Sequence, residues 1–236
     1  MQRQVFLDTE TTGLSAETGD RIIEIGCIEM ENRRLTGRNL HCYVNPQRAS
    51  HPDALRVHGL TEEFLADKPL FDAIADELLA FLAGAEVIIH NAPFDIGFLN
   101  EELRRAGKAP VGEVVAEITD TVAMARAMFP GKRNSLDALC SRLEVDNTNR
   151  TLHGALLDAG LLAEVYIRLT RGQDMLAMDA LDPAGEEGAA HAQVDLAAFE
   201  LPVLEPDEAE QKAHEAVLAD LDKASGGKAI WRIAVA

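Results

Sequence analysis

The chain has little that would suit it to an oxidising compartment or a membrane. Its three cysteines, Cys27, Cys42 and Cys140, are odd in number and far apart. That spacing fits neither a disulfide framework nor a zinc site, and points to a reduced, cytoplasmic setting. No apolar run approaches the roughly 20 residues needed to cross a bilayer, and the N-terminus offers only Val5 to Leu7, so a soluble, unprocessed protein with no membrane partner is expected. Positive charge is scarce: 22 Lys and Arg face 40 Asp and Glu, a net charge of −18 at pH 7. Such a surface repels a polyanion at long range, so composition by itself argues against a nucleic-acid ligand unless metals and a partner supply the attraction. Aromatics are few as well, and the single tryptophan, Trp231, stands near the C-terminus.

The 236 residues, 47% of them hydrophobic, are enough for a sizeable core and more than a typical single domain requires. Residues 1–170 hold 17 Lys and Arg against 26 Asp and Glu, and residues 171–236 hold 5 against 14, so each part carries a net −9 and the tail is far more acidic per residue. One domain followed by an acidic tail fits this division.

The stretch Val5-Phe6-Leu7-Asp8-Thr9-Glu10-Thr11-Thr12-Gly13 organises the domain. Three apolar residues read as a buried strand, and the period of two puts Asp8 and Glu10 on one face. Carboxylates so close raise each other's pKa unless a cation lies between them. Thr11, Thr12 and Gly13 follow as a turn whose backbone can approach a ligand closely. Taken alone, Asp-x-Glu also reads as a solvated strand end.

Further strands are expected over Arg21–Met30 and Leu40–Val44, with Asn32, Gly37 and Asn39 punctuating the interval, so that the first three form an antiparallel meander. Ser50 to Asp67 reads as a loop with a helical turn. Pro69 opens a helix with Leu70, Ile74, Leu78 and Phe81 inward, ended by Gly84. Val87–His90 is a short buried strand, Asp95–Ala106 a helix, and Val114–Ile118 a short apolar segment before Asp120, a helix cap for Thr121–Met128. Ser135 heads another helix with Leu136, Leu139 and Leu143. The last strong helix runs from about Gly154 to Leu169 with Leu157, Leu161, Val165 and Leu169 inward. The fold class is α/β, a sheet of mixed direction covered by helices. Residues 179–206, rich in Ala, Asp, Glu, Gly and Pro, read as a flexible acidic linker. Pro206 then opens a final helix to about Ser225, and the chain closes on Ile230-Trp231-Arg232-Ile233.

Two more acid-bearing motifs join the first. His90-Asn91-Ala92-Pro93-Phe94-Asp95 leaves a buried strand through a turn, which places Asp95 near a helix start, where an N-cap is its ordinary role. In His153-Gly154-Ala155-Leu156-Leu157-Asp158 the two polar groups would lie about 140° apart on one helix, so His153 belongs to the preceding loop and Asp158 to the helix. Asp8, Glu10, Asp95 and Asp158 with His153 suit two-metal phosphodiester hydrolysis, in which hard cations about 3.5–4 Å apart stabilise attacking and leaving oxygens. Oxygen ligands select Mg²⁺ or Mn²⁺ over zinc, and a neutral histidine could take a proton from the attacking water.

In order and type these motifs resemble the three exonuclease motifs of the DEDDh 3′–5′ exonucleases. Val57-His58-Gly59, Asn134-Ser135-Leu136-Asp137-Ala138-Leu139-Cys140 and the Trp231 segment narrow the resemblance to the proofreading, or epsilon, subunits of bacterial DNA polymerase III. The resemblance covers nearly the whole chain. It implies an RNase H-like domain over residues 1–170 that removes a mispaired 3′-terminal nucleotide from a primer as a 5′-monophosphate. Asp8, Glu10 and Asp158 would hold the more directly bound metal, Asp8 would bridge to a second, Asp95 would act through water or that second metal, and His153 would be the general base. Substrate contacts map onto Asp8, Glu10 and Asp158 themselves, Thr11, Asp53 and His58, with Phe94 wedged against a base; at Asp53 the family often has a longer acid. Residues 171–206 would combine a sliding-clamp-binding peptide, Gln173-Asp174-Met175-Leu176-Ala177-Met178, with the linker. Its anchors would be Gln173, Leu176 and Met178, the last in place of the more usual aromatic. Residues 207–236 would dock on the polymerase's catalytic (alpha) subunit through Trp231. A linker between two anchored modules raises the local concentration of the exonuclease at the primer end. Whether a small accessory subunit also binds stays open. Two other readings stand beside this one: an RNase of the same superfamily, separable by comparing 3′-ribo with 3′-deoxy ends, and a structural subunit that does not cut.

Overall fold

The computed structural model describes residues 3–148, 152–171 and 206–226. The chain divides into two units, Met1–Asp182 and Pro183–Ala236. In the first, β1 (Arg3–Thr11), β2 (Ile22–Glu31), β3 (Arg34–Tyr43), β4 (Glu86–Ile89) and β5 (Glu117–Asp120) form one sheet in the order β3-β2-β1-β4-β5. The β1–β2 and β2–β3 pairs are antiparallel, and β4 and β5 run parallel to β1. The expected meander and mixed sheet are both present.

Strand β3 begins six residues before the expected Leu40. Asn32 and Arg33, both at positive φ (49° and 61°), make a two-residue hairpin turn between the paired Glu31 and Arg34. Residues 34–39 are an exposed edge, so they show no alternation of apolar side chains. Gly37, expected to interrupt the chain, lies inside this strand. The segment read as a loop with a helical turn holds two short helices, α1 (Pro52–His58) and α2 (Glu62–Leu65). The helix expected from Pro69 is α3 (Phe71–Leu82); Leu70, expected inward, stands at its N-cap position and is exposed.

Successive residues of β1 face opposite layers. Val5 and Leu7 pack with Phe71, Ile74 and Leu78 of α3 and with Phe98 and Leu99 of α4 (Ala92–Arg105). Phe6 packs on the other side with α5 (Thr121–Met128), α6 (Leu136–Leu143) and α7 (Ala155–Leu169), against Ala125, Leu139, Leu161 and Val165. Asp120 and Ser135 cap α5 and α6 as expected, accepting from the Val122 and Ala138 N–H groups. Leu157, expected in the core, is 43% exposed, because the first turn of α7 lies on β2 with Ala155 and Asp158 buried instead. All three cysteines are free thiols. Among the described residues no helix is long and apolar enough to cross a membrane.

Of the second unit the described part is α8 (Glu208–Ser225) and its caps. Asp207 accepts from the Ala209 and Glu210 N–H groups while the Glu210 side chain accepts from the Asp207 N–H, a capping box, and Gly226 at φ 65° closes the other end. Val217 and Leu221, four residues apart and so on one face, are exposed.

Candidate active site

The parallel strands β1, β4 and β5 end at the same sheet edge, the place where α/β sheets present ligand sites. At the end of β1 the pairing with β2 shifts register between Glu10 and Thr11, a bulge that turns the chain out of the ladder. The Thr11–Gly13 turn is then locked from outside. Thr12 donates to Asp20 at 3.2 Å and accepts from the Arg21 N–H at 3.0 Å, and its carbonyl accepts from the His51 N–H at 2.7 Å. A Cβ on Gly13 would lie 2.3 Å from the Asp20 carboxylate, so a side chain there would push Asp20 off Thr12.

From β4 the chain leaves through His90 and Asn91. Asn91 adopts a left-handed conformation (φ 71°, ψ 54°), which asparagine tolerates, and its N–H donates to Asp120 at 3.1 Å. This tight exit starts α4 at Ala92, three residues before the expected start. Asp95 is therefore not an N-cap but lies inside the first turn, 3% exposed, where it accepts a 2.7 Å hydrogen bond from the Thr9 hydroxyl. Burial pushes its carboxyl up to about 7, against the opposing pull of the Thr9 hydroxyl and nearby N–H groups.

The third contribution comes from α7. His153 lies in the preceding loop, as its spacing predicts, and its N–H donates to the Val57 carbonyl of α1 at 3.1 Å. Gly154 is the N-cap, and Asp158 stands in the first turn, 3% exposed. The helix start sits directly on β2. A Cβ on Gly26, the cross-strand partner of Asp8, would fall 2.2 Å from the Leu156 nitrogen and 2.3 Å from the Ala155 carbonyl carbon. Glycine at position 26 therefore sets how closely Asp158 approaches β1.

These elements enclose a cleft of about 250 Å³ lined by Asp8, Glu10, Phe94, Asp95, His153 and Asp158, together with Thr9, His90, Ser135, Leu136 and Asp137. Ligand atoms of Glu10, His153 and Asp158 all lie within 4.8 Å of one another, close enough to share one cation. His153 Nδ1 is 3.5 Å from Asp158 Oδ2, and the imidazole is 43% exposed. The carboxylate oxygens of Glu10 and Asp158 are donors suited to a hard divalent ion, and a cation beside Asp95 would offset the desolvation that holds its carboxyl high. Phe94 is fixed at the cleft wall by Phe98, ring centroids 4.9 Å apart.

The other expected contacts do not line this cleft. Thr11 is buried, its hydroxyl donating to the Gly13 carbonyl at 2.6 Å. Asp53 is exposed on α1, paired with Arg56, and borders a separate cleft of about 350 Å³ with Gly13, Leu14 and Val57. His58 is buried, and its Nδ1 accepts from the Leu60 N–H at 2.9 Å. Gln173, Leu176, Met178 and Trp231 lie outside the described residues. Sequence reasoning missed Thr9, His90, Asp137 and Gly26. Thr9 was hidden because it faces the opposite layer from its two neighbours, and Gly26 because its role appears only once Asp8 is paired across the sheet.

A family model described as an exonuclease matches residues 5–166. DNA polymerase III subunit epsilon of Pasteurella multocida is 49% identical, across 97% of this chain and 93% of that one, and the Escherichia coli protein of the same name is 48% identical across 98% and 97%. Among solved structures, exonuclease X in complex with 5′-overhanging duplex DNA is 26% identical with a TM-score of 0.54, covering 74% of this chain and 93% of that one. A zinc-bound E. coli ExoI–ssDNA complex, 18% identical with a TM-score of 0.64 over 76% of this chain and 42% of that one, shares the fold. The mixed five-stranded sheet flanked by helices is the RNase H-like arrangement of these exonucleases.

Proposed function

The chain belongs to the exonuclease family and, within it, to the DNA polymerase III epsilon subunits, and on that premise we propose that it is the 3′–5′ proofreading exonuclease of a bacterial replicative polymerase. It hydrolyses the last phosphodiester of a primer strand and releases the mispaired nucleotide as a 5′-monophosphate. The observation that carries this reading is the convergence of Asp8, Glu10, Asp95, Asp158 and His153 on one cleft.

Asp8, Glu10 and Asp158 would hold one Mg²⁺ or Mn²⁺, and Asp95 with Asp8 a second. When bound, such ions neutralise the phosphodiester and lower the pKa of the attacking water. His153 accepts that water's proton, and the Asp158 carboxylate beside it stabilises the imidazolium that results. Its partial exposure lets the proton pass on to solvent. Phe94 wedges against the terminal base. Thr11, Asp53 and His58 serve the terminal nucleoside from the adjoining turn and α1, which the bond between His153 and Val57 ties to the cleft. Because His58 Nδ1 accepts, its Nε2 carries the ring proton; that atom is buried without a partner among the described residues, a donor suited to a sugar hydroxyl.

The exonuclease domain comprises residues 1–170. Gln173, Leu176 and Met178 anchor a clamp-binding peptide at the head of a 171–206 linker. Residues 207–236 dock on the polymerase's alpha subunit through Trp231, and the exposed Val217 and Leu221 of α8 support a docking role for this segment. The assembly works in the cytoplasm.

The test is release of 5′-mononucleotide from primer–templates with matched or mismatched 3′ ends, in Mg²⁺ or EDTA, by the wild type and Asp8→Ala. Loss of a metal contact made in the transition state predicts a rate drop of at least about a thousandfold in the variant. Metal-dependent release that is faster from the mismatch supports the reading. No release by a folded wild type overturns it.

A further inference from the structure

The acidic cleft is one of a row. It shares Phe94 with a cleft of about 420 Å³ walled by Leu14, Phe98 and Arg104. It shares His90 and Ser135 with another of about 430 Å³, bounded by Asn91, Arg126, Lys132 and Asn134. Across that shared wall the sign of the charge inverts. In a chain of net charge −18, residues 121–143 carry four cations, Arg126, Lys132, Arg133 and Arg142, and one acid, Asp137.

These cations differ from others in the domain. Arg3 and Arg38 are ion-paired with Glu29, Arg21 with Glu102, Arg48 with Asp20, Arg104 and Arg105 with Glu101, and Lys108 with Asp76. Among the described residues no carboxylate pairs with Arg126, Lys132, Arg133 or Arg142. Yet the loop that bears Lys132 is firmly built. Gly131 at φ 72° allows the Lys132 N–H to donate back to the Phe129 carbonyl at 3.2 Å. The Arg142 guanidinium lies over the Phe129 ring, 4.6 Å from its centroid, and donates to the Arg133 carbonyl at 2.8 Å and to Asn134 Oδ1 at 3.0 Å. Arg142 serves the loop itself, but Arg126 and Lys132 line the cleft without a counter-charge, and their place beside the carboxylates suits an anion that spans both clefts.

A strand cut at its last phosphodiester leaves one nucleoside on the 3′ side and its remaining phosphates on the 5′ side. The cleft beside Phe94 offers a half-buried ring to a base, and the cleft with Arg126 and Lys132 offers charge to a backbone. We infer that the basic cleft binds the sugar–phosphate backbone of the substrate strand on the 5′ side of the scissile bond, with Arg126 and Lys132 contacting successive phosphates. This rests on the phosphodiesterase reading of the acidic cleft. It also gives the acidic surface a local means of drawing in a polyanion, before any partner contributes.

The test compares the full-length chain with its Arg126→Ala/Lys132→Ala variant on two substrates. One is a single-stranded dT decamer; the other is the p-nitrophenyl ester of thymidine 5′-monophosphate, in which nitrophenol stands where the 5′ strand would leave. The variant should raise KM for the decamer about tenfold at little cost to kcat, and lower the salt slope of decamer binding by about 1.4, the loss of two phosphate contacts. It should cleave the ester at the wild-type rate, which also shows that it folds. Unchanged KM and salt slope, or an equal loss on both substrates, overturn the inference. If the wild type cleaves neither substrate, the phosphodiesterase reading fails by itself. Decamer binding in EDTA, followed by fluorescence anisotropy, then decides the basic cleft: weaker binding by the variant supports it and equal binding removes it.

Discussion

Glu29 and Glu102 on one side and Asp95 on the other are buried acids that this domain treats in opposite ways. Glu29 and Glu102 are 1% and 2% exposed, and each is met by arginine: Glu29 by Arg3 and Arg38, and Glu102 by two guanidinium nitrogens of Arg21 at 2.6 and 2.7 Å with the Ile22 N–H at 3.3 Å. The arginines and the Thr36 hydroxyl hold the Glu29 carboxyl below its ordinary range despite burial, and the Glu102 carboxylate raises the pKa of Arg21. Asp95 is just as buried, yet it receives a neutral hydroxyl from Thr9 and its carboxyl is pushed up to about 7. An acid whose charge the fold completes is part of the scaffold. An acid the fold leaves under strain is waiting for a cation from outside.

The strongest way to break this contrast is to unpair a scaffold acid. Glu102→Ala leaves Arg21, 19% exposed, beside a vacated pocket and removes the acceptor for the Ile22 N–H. Urea denaturation should show a loss of about 3–5 kcal/mol, the usual cost of breaking a buried pair from one side. A loss below 1 kcal/mol would place Glu102 with the tolerant surface pairs. A second substitution moves the cleft without touching its acids. Gly26→Ala forces a methyl against the Leu156 nitrogen, so α7 must shift away from β1 and carry Asp158 and His153 with it. Overpacking of this kind costs about 1–3 kcal/mol. Mn²⁺ affinity, read by titration calorimetry, should fall at least tenfold in a variant that still melts cooperatively. Unchanged affinity would show that Gly26 serves packing alone.

Much of this was legible in the order of residues, for identifiable reasons. The mixed sheet follows from short apolar runs between helical periodicities, and the acids on β1 follow from the period of two. The placing of His153 before α7 and Asp158 within it follows from their five-residue separation. What escaped depends on tertiary neighbours. Residues 34–39 pair as a strand although exposure removes their alternation, since the Asn32–Arg33 turn and the ladder to β2 decide the matter. Leu157 has the right spacing for the core, but the first turn of α7 buries Ala155 and Asp158 and leaves Leu157 exposed. Asp95 looked like a cap because nothing in the sequence announces that Asn91 turns left-handed and starts α4 earlier. The arginine partners of Glu29 and Glu102 lie up to 81 residues away and leave no local pattern.

The smallest expected effect tests the contrast most directly, in metal-free protein. A carboxyl whose folded pKa is raised above its unfolded value is neutral in both states at low pH. Between about pH 4 and 7 the folded chain keeps the proton that the unfolded chain has lost, so stability declines through that window as pH rises. Glu29 and Glu101, held below their ordinary range by arginines, act with the opposite sign and only in more acid solution. His58, whose pKa burial lowers, also tilts the other way up to about pH 6.5. The informative comparison is therefore between the wild type and Asp95→Asn, which share those groups and differ in one proton. In EDTA, the melting temperature of Asp95→Asn relative to wild type should rise by several degrees between pH 5 and 8. Adding Mg²⁺ at pH 8 should raise the wild-type melting temperature more than that of the variant, because the ion supplies the counter-charge that arginines supply elsewhere. Parallel pH profiles would show that the Thr9 hydroxyl and nearby N–H groups already satisfy Asp95, and the two kinds of buried acid would then differ only in their partners.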